Sequence, residues 1–234
     1  FVEEPGHATD LLAAEAVKLI GDSKDRPFFM YLAFSAPHYP IQDDPKWDEF
    51  NKDIGNEDRR AYAAMVSHLD DAIGRVVDAL DAKGLRENTL VVFSSDNGAQ
   101  EKWTSPPDEY EGKLKARARM GDNTPLRGWK MGPYEGAIRV PAFVHWKGTL
   151  APRDLPEFTS AQDVFPTFAR LAGAPAGPEL KLDGRDVWPL LAGTGSVVQK
   201  PMYWYHRINW ALRDGDWKLV IPAKDSPPEL YDVR

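Results

Sequence analysis

Three loops of this 234-residue chain carry side chains able to do chemistry. Lys130 lies in the run Pro125-Leu126-Arg127-Gly128-Trp129-Lys130-Met131-Gly132-Pro133-Tyr134-Glu135-Gly136-Ala137-Ile138-Arg139-Val140-Pro141. Gly128 and Gly132 bracket this cation, Arg127 and Arg139 add charge of the same sign, and a lysine so placed binds an anion oxygen as a point charge. Ser94-Ser95-Asp96-Asn97-Gly98 sets a carboxylate and an amide oxygen side by side. Those are ligand types for a hard divalent cation such as Ca²⁺, and Gly98 allows a sharp departure of the chain. His38, between Pro37 and Tyr39 in a loop closed by Pro40, is held rigidly enough to face a substrate as donor or general acid. An anion site beside a metal site is what an enzyme acting on a charged ester needs.

Each loop also has a plainer reading. Asp-Asn-Gly is an ordinary turn sequence, and two ligands are too few for Ca²⁺, which takes about six to eight oxygens. At least two more acidic groups must come from elsewhere. A lone loop histidine is often surface decoration, a basic glycine-bounded loop is often just solvated, and Glu135 and Arg139 are spaced to pair with each other. His68 falls inside a long helical pattern, where packing or exposure is the expected role, and His7, His145 and His206 have no partner motif nearby. Tyr203, Trp204, Tyr205, Trp210 and Trp217 are of the kind that line a sugar site, but a small sheet needs such residues for its core.

The elements that must position these loops follow from hydrophobic period and punctuation. Thr9 or Asp10 is placed to cap a helix through Ile20, closed by Gly21. Phe28 to Phe34 is an uninterrupted apolar run after Pro27, the pattern of a strand covered on both faces in a parallel sheet. Asn56 caps the longest helix, with Tyr62, Val66, Leu69, Ile73, Val76 and Leu80 as its apolar stripe and Gly84 as its stop. Thr89 to Phe93 reads as a second buried strand opening onto Asp96, as a doubly wound sheet would place it. Residues 101 to 124, with adjacent Pro106 and Pro107, form a surface excursion. Pro141 to Trp146 is a third short strand, and Ser160 to Leu171 a helix with Val164, Phe165, Phe168 and Leu171 inward. Strands at Met202 to His206 and Ala211 to Val220 follow, the second broken at Arg213-Asp214-Gly215-Asp216, a hairpin turn signal.

Composition narrows the partners. Lys plus Arg is 29 against 36 Asp plus Glu, a net charge of −7, which argues against nucleic acid. No apolar run reaches eighteen residues, so no membrane span is expected. With no cysteine there are no disulfides, thiolate metal sites or cysteine nucleophiles as the chain stands.

In order and spacing the segments FFMYLAFSAPHYP, YAAMVSHLDDAIGRVVDAL, NTLVVFSSDNGAQ, NTPLRGWKMGPYEGAIRVPAFV, DVFPTFARLAG, ALRDGDWKLV and ELYD resemble the type I sulfatases of the alkaline phosphatase superfamily. The resemblance covers nearly the whole chain, and LDGRDVWPLL draws it toward arylsulfatases of the N-acetylgalactosamine-4-sulfatase kind. It implies an α/β fold: a partial alkaline phosphatase-like mixed sheet flanked by helices, with part of a small antiparallel C-terminal subdomain. Residues 1–198 would be the later portion of the catalytic domain and 199–234 the subdomain. Asp96 and Asn97 would be the later pair of Ca²⁺ ligands, Lys130 would hold the sulfate, and His38 would bind a sulfate or leaving-group oxygen and help protonate the alcohol. The family nucleophile is a hydrated formylglycine. Asn97, where phosphonate and phosphate ester hydrolases commonly carry His, favours sulfate esters.

The chain departs from that pattern in its missing catalytic segment. Formylglycine is made from a Cys or Ser followed two residues later by Pro and four later by Arg, and Ser35-Ala36-Pro37 has Tyr39 where Arg is required. The early Asp-Asp metal ligands and the basic companions of the nucleophile also find no match. The expectation is the later half to two-thirds of a sulfatase acting on aryl or carbohydrate sulfates, with no turnover by these residues alone. The alternatives are a non-catalytic protein keeping a degenerate anion or sugar site, and a phosphoester or phosphonate hydrolase of the same superfamily. Localisation rests on family habit only: periplasm, exterior or lysosome.

Overall fold

A computed structural model describes residues 4–23, 25–42, 44–104, 112–174, 177 and 179–234. Pro106 and Pro107 lie outside the described residues. By contact the chain divides into two units, Phe1–Thr89 with Ser94–Pro141, and Leu90–Phe93 with Ala142–Arg234.

The first unit is built on helices α1 (Ala8–Asp22), α2 (Pro45–Phe50) and α3 (Glu57–Ala82). The cap of α1 is neither Thr9 nor Asp10 but His7, whose Nδ1 accepts from the Thr9 N–H at 3.3 Å. Imidazole does here what a short oxygen side chain does at most caps. Asn56 caps α3 through its Oδ1, bonded to Arg59 N–H at 2.9 Å. At the other end Gly84 takes φ 67°, and Leu85 N–H reaches back to Leu80 O, the closure that needs a left-handed residue. Both α1 and α2 pack on α3. The buried positions are small: Ala13 and Ala16 on α1, and Ala61, Ala64 and Ala72 on α3, with Met65, His68, Ile20 and Leu80 among them. The inward face of α3 therefore runs through Ala61, Met65, His68 and Ala72, not Val66, which is 41% exposed. Alanine permits the close approach of two helices that a stripe of larger residues would hold apart.

Residues 28–34 join no ladder among the described residues. Exposure alternates along them, with Phe29 and Tyr31 on the open side at 75% and 84%. The expected doubly covered strand is thus not seen: an apolar run dictates extension, but pairing depends on a neighbour. The excursion after Gly98 contains an antiparallel pair, β2 (Lys102–Trp103) with β3 (Arg117–Ala118). Arg117 and Lys115 tie it to the first turn of α3, Arg117 to Asp58 at 2.8 Å and Lys115 to Glu57 at 3.1 Å.

The two-stranded sheet of β1 (Val91–Ser94) and β4 (Ala142–His145) represents the expected central sheet, with Phe93 stacked on Phe143. Ser160 opens a short 3₁₀ turn and then α5 (Val164–Leu171). Inward on α5 is Thr167, whereas Val164 and Phe165 are 39% and 58% exposed. The reason is polar: Asp163, 1% exposed, closes a capping box with Ser160 and takes a two-pronged bond from Arg185. Thr167 Oγ1 accepts from the Val187 N–H, so the helix turns this hydroxyl toward the 185–187 strap and the Phe165 ring outward. The Gly184-Arg185-Asp186 segment thus has a local structural task, and a Cβ on Gly184 would meet Gln162 O at 1.9 Å. Helix α6 (Trp188–Leu191) follows.

The four-stranded antiparallel sheet β5 (Met202–His206), β6 (Asn209–Asp214), β7 (Trp217–Ile221), β8 (Glu229–Asp232) is the expected C-terminal element. Asp214 pairs with Trp217 across a two-residue turn in which Gly215 has φ 57°. Ala211, Lys218 and Val220 lie on its covered face, while Tyr203, Trp210 and Trp217 stand out at 50% or more. Those aromatics are not core.

Candidate functional site

His38 sits in a loop with cis peptide bonds before Pro37 and Pro40. Its backbone N–H bonds to Ser35 O at 2.8 Å, and buried Ala36 anchors the turn. The next residue fixes the loop from the other side, since Tyr39 stacks on Trp103 and its hydroxyl donates to Lys115 O at 2.7 Å. The imidazole itself is exposed, with Nδ1 2.8 Å from Tyr39 O. A carbonyl only accepts, so Nδ1 carries the proton and Nε2 presents its lone pair. That lone pair faces Lys130 Nζ at 3.2 Å. Two loops 92 residues apart therefore bring imidazole and ammonium to one point.

Lys130 is held there by main chain. Its N–H bonds to Ala99 O at 2.9 Å, joining its loop to the residues directly after Asp96-Asn97-Gly98. Gly98 N–H bonds to Ala137 O at 2.9 Å, and Gly136 N–H to Arg127 O at 2.8 Å. Gly98 is not among the left-handed glycines. It is glycine for lack of space: a Cβ there would stand 1.8 Å from Gly136 O, and one on Gly136 would stand 2.5 Å from Gly128 O. Three glycines so stack their backbones, and the expected sharp departure at Gly98 is replaced by close approach. Asn123 completes the join. Its Oδ1 accepts from Ala99 N–H at 2.9 Å while Nδ2 donates to Ala99 O and Gly128 O at 3.2 and 2.9 Å.

Asp96 is exposed, and its Oδ1 accepts from the Asn97 N–H at 2.9 Å. The Asn97 amide nitrogen donates to Gly98 O at 3.1 Å, so its oxygen remains the acceptor end. Ser95 Oγ donates to Asn97 O at 3.0 Å and stiffens the turn. The pair offers hard oxygens on a fixed backbone, which fits a divalent cation as part of a larger shell. Among the described residues the ties between this turn and the Lys130 loop run through main chain and Asn123. Arg127, a neighbour of like sign, lays its guanidinium over the Tyr134 ring at 4.0 Å. Glu135 and Arg139 are joined by a helical bond, Arg139 N–H to Glu135 O, in α4 (Glu135–Ile138).

Sequence pattern assigns nothing to Asn123, Gly136, Tyr39 or Trp103. The first has a signal: Asn-Thr-Pro opens the Lys130 run, and an Asn before a proline turn commonly bonds to nearby backbone.

A sequence model of the Sulfatase family matches residues 2–174. The chain is 39% identical over 186 residues to the steryl-sulfatase of Rattus norvegicus, a match covering 79% of this chain and 30% of that protein. It is 35% identical over 213 residues to arylsulfatase A of Homo sapiens, covering 88% and 38%. Among solved structures, the crystal structure of Ps i-CgsB in complex with k-i-k-neocarrahexaose superposes with a TM-score of 0.86 at 33% identity, over 99% of this chain and 49% of that one. The chain spans about a third of the length of these curated relatives and about half of the solved one.

Proposed function

The chain belongs to the sulfatase family, and from that premise we propose that it supplies the sulfate-binding and later metal-binding parts of a site hydrolysing sulfate monoesters. The observation that carries this reading is the 3.2 Å approach of His38 Nε2 to Lys130 Nζ. A sulfate oxygen entering there meets a fixed positive charge, and protonated His38 adds a second donor from the opposite loop. In its protonated form the same imidazole is placed to give its Nε2 proton to the departing alcohol oxygen. Its Nδ1–H stays on Tyr39 O throughout, which keeps the ring oriented.

Asp96 and Asn97 would hold a divalent cation, Ca²⁺ by the oxygen chemistry of the pair. When bound, such an ion neutralises charge on the ester oxygens. Formylglycine does not fit these 234 residues, which have no cysteine and Tyr39 in place of the required Arg. In this reading residues 1–198 belong to the catalytic domain and 199–234 to the C-terminal subdomain. A carbohydrate sulfate is the favoured substrate class, supported by the k-i-k-neocarrahexaose held in the Ps i-CgsB complex. The relatives favour this reading over a non-catalytic binding protein or a phosphoester hydrolase.

The test is hydrolysis of an aryl sulfate and of sulfated oligosaccharides by the protein carrying this sequence. Lys130→Ala lowers kcat/KM by roughly 10²–10³-fold, the size of one lost oxyanion donor, and matched phosphate esters are poorer substrates. Unchanged turnover in Lys130→Ala sinks the assignment. Lys130-dependent cleavage by the 234 residues alone would show that the nucleophile lies among them after all.

A further inference from the structure

A second cluster of ligating side chains lies where α1 crosses α3, in none of the three loops. His7, Asp10 and His68 each offer one ligand atom, and these atoms lie within 4.8 Å of one another. His68 is 4% exposed, its Nε2 is 3.0 Å from Asp10 Oδ1, and its Nδ1 is 3.7 Å from Asp44 Oδ2. Arg75 Nη2 bonds to Asp10 Oδ1 at 2.5 Å, and the rings of His7 and His68 are 4.3 Å apart. A helix-to-helix hydrogen bond accounts for His68 and Asp10 alone. It leaves His7 Nε2 buried with no partner among the described residues, the kind of polar atom that folded proteins rarely tolerate.

We propose that His7, Asp10 and His68 bind a divalent transition cation, Zn²⁺, in a second metal site distinct from Asp96 and Asn97. Two imidazoles and one carboxylate are the mixed nitrogen and oxygen set that Zn²⁺ takes and Ca²⁺ does not favour. Water completes four-coordination. The surrounding groups supply the outer partners that such ligands normally have. Once Nε2 of His68 is committed to the ion, its proton sits on Nδ1 facing Asp44, the carboxylate–histidine–metal order. Arg75 orients Asp10 in the same way. His7 gives up its weak 3.3 Å cap to Thr9 N–H and gains a partner for the orphaned nitrogen.

The chain, stripped with chelator and checked for native helix content by circular dichroism, is titrated with Co²⁺ in the spectrometer and with Zn²⁺ in the calorimeter. One equivalent of each binds, and cobalt shows the visible bands of four-coordination. His7→Asn retains a good helix cap while removing the ligand. Its melting temperature without metal stays near wild type, and its Zn²⁺ affinity falls at least about 10-fold. The double variant Asp96→Ala/His38→Ala binds both ions as wild type does. The proposal is overturned if the folded chain takes up no Co²⁺ or Zn²⁺, if binding survives His7→Asn, or if it disappears in the double variant.

Discussion

Adding one methyl group at Gly98 tests whether the two halves of the site are joined by backbone contact. The new Cβ of Gly98→Ala would stand 1.8 Å from Gly136 O, 2.9 Å from Gly136 C and 3.2 Å from Ala137 Cα. Every one of these is main chain, so no rotamer change relieves the overlap. Restoring ordinary contact moves the two strands of chain apart by about 1.6 Å. That displacement breaks the bond from Gly98 N–H to Ala137 O and pulls on the one from Lys130 N–H to Ala99 O. Overpacking of about 1–3 kcal/mol plus one lost hydrogen bond of about 1 kcal/mol gives a destabilisation of about 2–4 kcal/mol. For a chain of this size that is a fall in Tm of about 4–16 °C. A metal shell tolerates only about 0.2 Å in ligand position, so under the proposed function the affinity for an ion held by Asp96 and Asn97 would drop with stability. Thermal melting with and without Ca²⁺ reads both. Gly74, within α3, has open space at its Cβ position, and Gly74→Ala stabilises by about 0.5–1 kcal/mol as alanine does in a helix interior. If Gly98→Ala melts together with Gly74→Ala and keeps its Ca²⁺ affinity, backbone contact does not join the two halves.

Asn123 and Asp163 give two further outcomes. Asn123→Ala removes three side-chain bonds and lowers stability by about 2–3 kcal/mol in urea unfolding; under the proposed function it would also raise KM for sulfate esters, because the side-chain bridge from Ala99 to Gly128 is lost and only the main-chain bond from Lys130 N–H to Ala99 O remains. At Asp163, burial opposes ionisation, but bonds from the Arg185 side chain and backbone and from Ser160 N–H hold the carboxyl below its usual range. A depressed folded-state value stabilises above the unfolded pKa near 3.8 and is lost as pH falls through the folded one. Asp163→Asn leaves Arg185 buried without its counter-charge, costing about 3–5 kcal/mol at neutral pH, and its stability falls less steeply than wild type below about pH 4. A variant with wild-type stability and the same acid slope would deny Asp163 this role.

Sequence pattern reveals the helices well because their signals are local. Asn56, Gly84, Ser160 and the Asp-Gly turn each act within four residues, and each does in the structure what its chemistry predicts. The reading of His38 and Lys130 as an anion site rests on their order along the chain; their contact across 92 residues has no local trace. Period fails where polar groups claim a helix face. Thr167 and Asp163 turn α5 by their hydrogen bonds, and His68 takes a place in α3 that an apolar count gives to Leu69. Gly98 is legible as necessary but for a different reason, since composition shows a missing side chain and not what fills its space. Cap residues outside the usual oxygen set, such as His7, also escape pattern rules.

The apolar segment 28–34 bears on handling these 234 residues more than on what they bind. An apolar run whose side chains alternate in exposure, with Phe29 and Tyr31 open to solvent, offers another chain a template for edge pairing. Such association rises with at least the second power of concentration, whereas folding of one chain does not depend on it. Yield is then governed by dilution and by the order in which chains meet, not by the depth of the folded state. A charge at Tyr31, 84% exposed, would act as a gatekeeper there and raise the working concentration without touching His38 or Lys130.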